Sequence, residues 1–302
     1  MSTILERLTE LQERLQSSKV PQRAEDAKTI EDAIQGMTEL MSLASVKPPL
    51  IHNIEGKRVM ILTPIYRGMN GRTFFTLWRC FAQYGVDKVG LIPEFQTVIH
   101  EARNMLAKAF LETDSEWCIM VDDDLLIPCG SSQITNRYFN ARLPEPLASI
   151  NAISRIMSHP PECKVVGGLY FVKGNPSFSR HRNSGRAICE QAFRDDDFNS
   201  MLHQPKPTSG LIPQDWVAIG FCRIHRNVFE DIIKAIPGRW PECLPSHDGG
   251  HYGIFQPIGP NVNEDVSFGR RCKAIGIQHY LDSGLVCGHC DGTSIFWPHS
   301  TI

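Results

Sequence analysis

Three adjacent carboxylates, Asp122, Asp123 and Asp124, follow directly on the apolar run 117–121 (WCIMV) and precede 125–128 (LLIP). A short apolar run of this kind reads as a buried strand, which delivers the carboxylates to the open edge of a sheet. Three neighbouring carboxylates repel one another unless a cation sits among them. In extended chain Asp122 and Asp124 project to the same side, so both can reach one ion. Their hard oxygens suit Mg²⁺ or Mn²⁺, ions that also hold substrate phosphates. A solvated acidic turn is the plainer alternative; the strand immediately before it favours the metal.

A second acidic pair, Glu264-Asp265, follows Asn263, a residue type that caps helix starts. There the charge either complements the helix dipole or serves as a base beside an acceptor hydroxyl. Rival motifs are incomplete. Cys287-Gly288-His289-Cys290 is a CxxC without a second pair at zinc spacing. His100-Glu101 opens like HExxH, but position 104 is Asn. The chain has no Walker A loop, no GxGxxG after its first strand and no GxSxG, which argues against ATP hydrolysis, NAD chemistry and α/β-hydrolase chemistry.

The elements that must position these residues alternate. Strands are expected over 58–63 (RVMILT, ended by Pro64), 86–92 and 117–121, with helices over 72–83 and 98–113 between them. Strand, helix, strand, helix, strand implies a parallel sheet with right-handed crossovers, whose ligands sit beyond the carboxyl ends of the strands. Further on, 164–172, 215–224 and 277–287 read as strands, and 227–235 and 264–274 as helices, the latter stopped by Gly276. Loop-rich stretches lie at 180–186, 204–213 and 246–260. Before all this, Ile4, Leu8, Leu11 and Leu15, then Ile30, Ile34, Met37 and Met41, form two apolar helical stripes separated by Pro21. They predict an N-terminal helical hairpin, either packed on the main domain or a self-association element. The expected division is 1–47 for the hairpin and 48–302 for the main domain, with a donor half at about 58–130 and an acceptor half at about 160–302.

With 302 residues, 42% hydrophobic and 21% charged, the chain has the composition of a globular protein able to bury a large core. Its net charge of −2 excludes a polyanion binder held by bulk charge. No stretch is long and apolar enough to span a membrane, and no signal pattern opens the chain. Ten scattered cysteines then point to a reducing, cytoplasmic setting.

Arg103-Asn104 with 117–128, then 217–226 (VAIGFCRIHR), 263–269 (NEDVSFG) and Gly288-His289 together resemble, in order, the nucleotide-sugar-dependent glycosyltransferases of the GT-A fold, in a family 2-like form with its Asp-x-Asp (DxD) motif. The match covers roughly 58–291. It implies an α/β fold with a Rossmann-like, mixed, mostly parallel sheet flanked by helices. The resemblance assigns metal binding to Asp122, Asp124 and His289, with Mn²⁺ favoured over Mg²⁺ by the imidazole. Thr63, Pro64, Tyr66, Arg103, Asp122, Asp123 and Gly220 would meet the nucleotide-sugar donor. Asp265, beside Glu264, would act as the base of an inverting transfer.

The expected function is transfer of a sugar from a nucleotide diphosphate donor, UDP first among them, to an acceptor hydroxyl. A sugar-nucleotide nucleotidyltransferase is the rival enzyme, although the loop PIYRGMNGR lacks that class's usual pattern. A degenerate binding or assembly module is the non-enzymatic rival. The acceptor is open: a glycan, a protein or a modified DNA base. For the last, Lys173, Arg180, His181, Arg182 and Arg186 could follow a phosphate backbone, though a solvated basic loop explains them equally.

Overall fold

The apolar run Val59–Ile65 becomes strand β1, buried at all seven positions, with β2 paired along its whole length and β3 along Val59–Leu62. The computed structural model describes residues 59–66, 68–95, 98–139, 148–170, 211–247, 249–260, 262–291 and 294–296, all of them in the unit Asn53–Ile302. The expected N-terminal hairpin and the basic cluster from Lys173 to Arg186 lie outside the described residues.

After β1 come α1 (Gly71–Tyr84), β2 (Val89–Phe95), α2 (Ile99–Leu111) and β3 (Trp117–Val121). Both neighbours of β1 run parallel to it, as the alternating pattern requires. A short β4 (Leu125–Leu126), α3 (Ser132–Phe139), α4 (Ala152–Met157), β5 (Val165–Leu169), β6 (Leu211–Gln214) and β7 (Phe221–His225) follow. The chain continues through α5 (Arg226–Arg239), a 3-10 turn (Pro241–Cys243), α6 (Glu264–Ala274), β8 (His279–Val286), β9 (Gly288–Asp291) and β10 (Ser294–Phe296).

The main sheet has seven strands in the order β2-β1-β3-β7-β5-β8-β6. Strands β1, β2, β3, β5 and β8 run one way; β6 and β7 run against them. The result is a mixed α/β fold, mostly parallel and flanked by helices, as expected of a GT-A-like fold. A second sheet, β10-β9-β4, is small and antiparallel. Among the described residues no helix is long and apolar enough to cross a membrane, and the cysteines there are buried free thiols.

Several boundaries differ from expectation for physical reasons. Strand β1 runs past Pro64 because its pairing with β3 ends at Leu62↔Met120, so the missing N–H costs no ladder bond on that side. Residues 215–220 are not strand; only Phe221–His225 pairs with β3 and β5. Strand β6 falls partly where a loop was expected, since Pro213 sits in a strand paired on one side only, with β8. Helix α6 matches its predicted span, but Asn263 makes no side-chain cap bond. Gly276, at φ +79°, supplies the left-handed residue after the helix.

Candidate functional site

The acidic turn begins where β3 stops. The Asp122 N–H donates to the Gly220 carbonyl at 2.8 Å, extending the β3–β7 pairing by one step and laying the 217–220 segment against the turn. The next two residues, Leu125 and Leu126, form β4 and pair with His289 and Gly288 of β9. The Cys290 N–H then donates to the Asp124 carbonyl at 2.8 Å. This ladder brings two distant segments together: His289 Nε2 lies 3.3 Å from Asp124 Oδ1.

Asp122 has a different partner. Its Oδ1 and Oδ2 accept from Arg103 Nη2 at 2.9 and 3.2 Å, while Arg103 Nη1 donates to Glu264 Oε1 at 2.6 Å. Arg103 is buried, and the partly buried Asp265 follows Glu264 at the start of α6. Asp123 ties down the exit of β1. Its Oδ2 accepts from the Tyr66 N–H at 3.0 Å, and its carbonyl accepts from the Asn70 N–H at 2.9 Å. Asn70 in turn caps α1 by accepting from the Arg72 N–H.

A cleft of about 200 Å³ opens at this edge, lined by Pro64, Ile65, Tyr66, Ile99, the three aspartates and His289. Tyr66, one of these lining residues, is 57% exposed. Of the residues expected to meet a donor, Pro64, Tyr66, Asp122 and Asp123 line the cleft. Thr63 is fully buried and does not, and its Oγ1 has no partner. Arg103 is turned inward onto carboxylates rather than toward the opening. Gly220 also stands behind the wall. A Cβ there would come within 2.3 Å of Tyr170 Oη and 2.7 Å of Asp122 Oδ2, so glycine is required by these neighbours. Glu264 and Asp265 are outside the lining and reach the cleft's aspartates through Arg103.

The electrostatics separate these carboxyls. Burial, then the neighbouring Glu264, pushes Asp265 up to about 6, with Arg103 acting against the shift. For Arg103, burial works against its charge, but Asp122 and Glu264 more than offset that and hold it firmly protonated.

The donor set can be tested against a divalent cation. Among the described residues no three His, Cys, Asp or Glu side chains are placed to hold an ion unaided. Asp124 and His289 supply two adjoining donors, one carboxylate and one imidazole, while both Asp122 oxygens are engaged by Arg103. Two protein donors fit an ion whose remaining positions are filled by substrate phosphate and water, and imidazole suits Mn²⁺.

Tyr170 was not singled out from sequence. It is buried at the end of β5, its hydroxyl accepts from the Gly220 N–H at 2.7 Å, and its ring meets His289 edge-on at 5.7 Å. The available signal was its place, an aromatic residue closing a buried strand at the same sheet edge as the aspartates.

No family model matches the chain, and no curated protein matches its sequence. Solved structures similar to it include A197 from STIV, at 16% identity and a TM-score of 0.43, covering 80% of this chain and 90% of that one. Another is a glycosyltransferase involved in the glycosylation of the major capsid of PBCV-1, at 11% identity and a TM-score of 0.29, covering 61% of this chain and 68% of that one. Likenesses this distant carry no activity over to this chain.

Proposed function

We propose that the protein is a metal-dependent glycosyltransferase that moves a sugar from a nucleotide diphosphate donor, UDP-linked in the first instance, to a cytoplasmic acceptor hydroxyl. The observation that carries this reading is the meeting of Asp124 and His289, 3.3 Å apart, in a cleft at the carboxyl ends of parallel strands. Three carboxylates, Asp122, Asp123 and Asp124, line this cleft, and Glu264 and Asp265 lie behind it across Arg103. Adjacent carboxylates repel one another, and a cation held among them relieves that repulsion.

Asp124 and His289 would hold a divalent ion, Mn²⁺ or Mg²⁺. When bound, such an ion neutralises charge on the departing diphosphate without proton transfer. The exposed Tyr66 ring offers a stacking face for the nucleobase, and Pro64 and Ile65 give the cleft an apolar wall. Asp265 would take the acceptor hydroxyl's proton as that oxygen attacks the sugar's anomeric carbon and the nucleoside diphosphate leaves. An inverting displacement needs such a base on the face opposite the leaving group. With its ionisation near pH 6, Asp265 is a stronger base than an ordinary aspartate yet mostly ionised at neutral pH.

The test is product analysis with UDP sugars and Mn²⁺. The reading expects release of UDP, with turnover rising as pH increases through about 6 and lost in Asp265→Asn. Pyrophosphate release from UTP and a sugar phosphate would instead indicate a nucleotidyltransferase. Metal and nucleotide binding without turnover would indicate a binding module.

A further inference from the structure

One buried guanidinium joins the two acidic halves of the site. Arg103 belongs to α2, Asp122 follows β3, the next element along the chain, and Glu264 opens the distant α6. The Arg103 side chain is 4% exposed, and its ion pairs with Asp122 and Glu264 are 2.9 and 2.6 Å long. Pairs this well shielded keep a fixed geometry that surface pairs lack.

The helix bearing Arg103 is itself anchored. At its far end and in the loop beyond, the Arg226 guanidinium donates to the carbonyls of Leu111 at 3.1 Å and Ser115 at 3.0 Å, and also to Phe110 and Thr113. Beside Arg103, Asn104 Oδ1 accepts from the Phe255 N–H at 2.8 Å. Arg103 therefore holds Glu264 from a fixed base.

We propose that Arg103 is a positioning residue rather than a donor ligand: it locks the start of α6, and with it Asp265, onto the Asp122 turn and supplies the positive charge against which Asp265 ionises. The proposal rests on the reading of Asp265 as base. The charged groups acting on Asp265 are Glu264 on its own helix, Arg103 on α2 and Asp122 after β3. Burial, Glu264 and Asp122 oppose its ionisation; Arg103 and the Val266 N–H, which donates to its Oδ1 at 2.8 Å, favour it. Removing the guanidinium leaves two carboxylates unopposed, so the Asp265 midpoint must rise. Removing the Glu264 charge must lower it.

The experiment follows Asp265 directly. Full-length protein carrying ¹³C at aspartate carboxyl carbons is titrated, and the Asp265 resonance is identified by its loss in Asp265→Asn. The wild type should titrate near pH 6. Arg103→Gln should move the midpoint up by about one pH unit, and Glu264→Gln should move it down. Arg103→Lys, which keeps the charge, should stay close to the wild type. An unchanged midpoint in Arg103→Gln would overturn the proposal. Should that variant not fold, an unchanged midpoint in Glu264→Gln, or a raised one in Arg103→Lys, overturns it instead. Because this titration needs no substrate, its result is separate from whether UDP sugars are turned over. Where turnover is seen, its acid limb should move with the Asp265 midpoint, which a merely structural arginine would not produce.

Discussion

Gly220 concentrates the site's geometric demands in one residue. The Tyr170 hydroxyl and an Asp122 oxygen both crowd the point where a Cβ would stand. Gly220→Ala must displace one of them, and neither is the loose end of a flexible chain, since Tyr170 is bonded to the Gly220 N–H and Asp122 to Arg103. We expect a loss of about 1–3 kcal/mol in urea unfolding, together with weaker UDP binding. Unchanged stability would mean that Tyr170 moves aside freely. At this scale the residue pattern drew attention to the acidic turn and the family resemblance to His289 and Asp265; the structure sets His289 in the cleft with the aspartates and leaves Asp265 outside its lining. The sequence could not show that Asp122 is spent on Arg103, or that Tyr170 backs both Gly220 and His289. Those facts depend on which strands become neighbours across the sheet.

Between elements, buried polar networks do the joining. Asp282 of β8 is fully buried and accepts from Arg155 of α4 at 2.7 and 2.8 Å, and it meets His159 Nε2 at 2.8 Å. Burial alone would raise this carboxyl, but the His159 and Arg155 hydrogen bonds bring it below the usual carboxylate range. Its stabilisation is therefore complete above the ordinary aspartate value and lost only as pH falls through the lowered one. Arg155→Ala, which strands a buried charge, should cost about 3–5 kcal/mol, measured by chemical unfolding at neutral pH; a cost below 1 kcal/mol would show that His159 suffices.

His279 has the opposite logic. It faces Gln214 across the β6–β8 ladder, neither ring nitrogen has a hydrogen-bond partner, and burial pushes the imidazole down to about 3. The folded state resists protonation, so stability holds above the unfolded histidine value of about 6.5 and erodes as pH falls below it. Between pH 7 and pH 5 the wild type should lose ~2 kcal/mol from this residue, and His279→Leu should show a flatter dependence. Identical slopes would place the acid sensitivity elsewhere. Strands β1, β3 and β8 and helices α1, α2 and α6 could be read from apolar runs and caps. The two-residue β4 and the strands β9 and β10 could not, since pieces this short have no periodicity of their own and exist only through their partners.

For the whole molecule, the alternation from β1 to β3 announced a parallel sheet with its open edge at the aspartates, and that is where the cleft lies. The reversed β7 in the middle of the sheet was not legible, because a buried strand looks alike in either direction. Yet that reversal is what sets Gly220 beside Asp122, and the small sheet is what carries His289 to Asp124. The proposed donor site is thus the convergence of Asp124 and His289. Its most direct test is isothermal titration of the full-length protein with UDP, with and without Mn²⁺, for the wild type and Asp124→Ala. A metal-held donor site requires UDP binding that depends on Mn²⁺ and disappears in Asp124→Ala while the variant remains folded. Binding that is indifferent to the metal, or that survives the loss of Asp124, would contradict it.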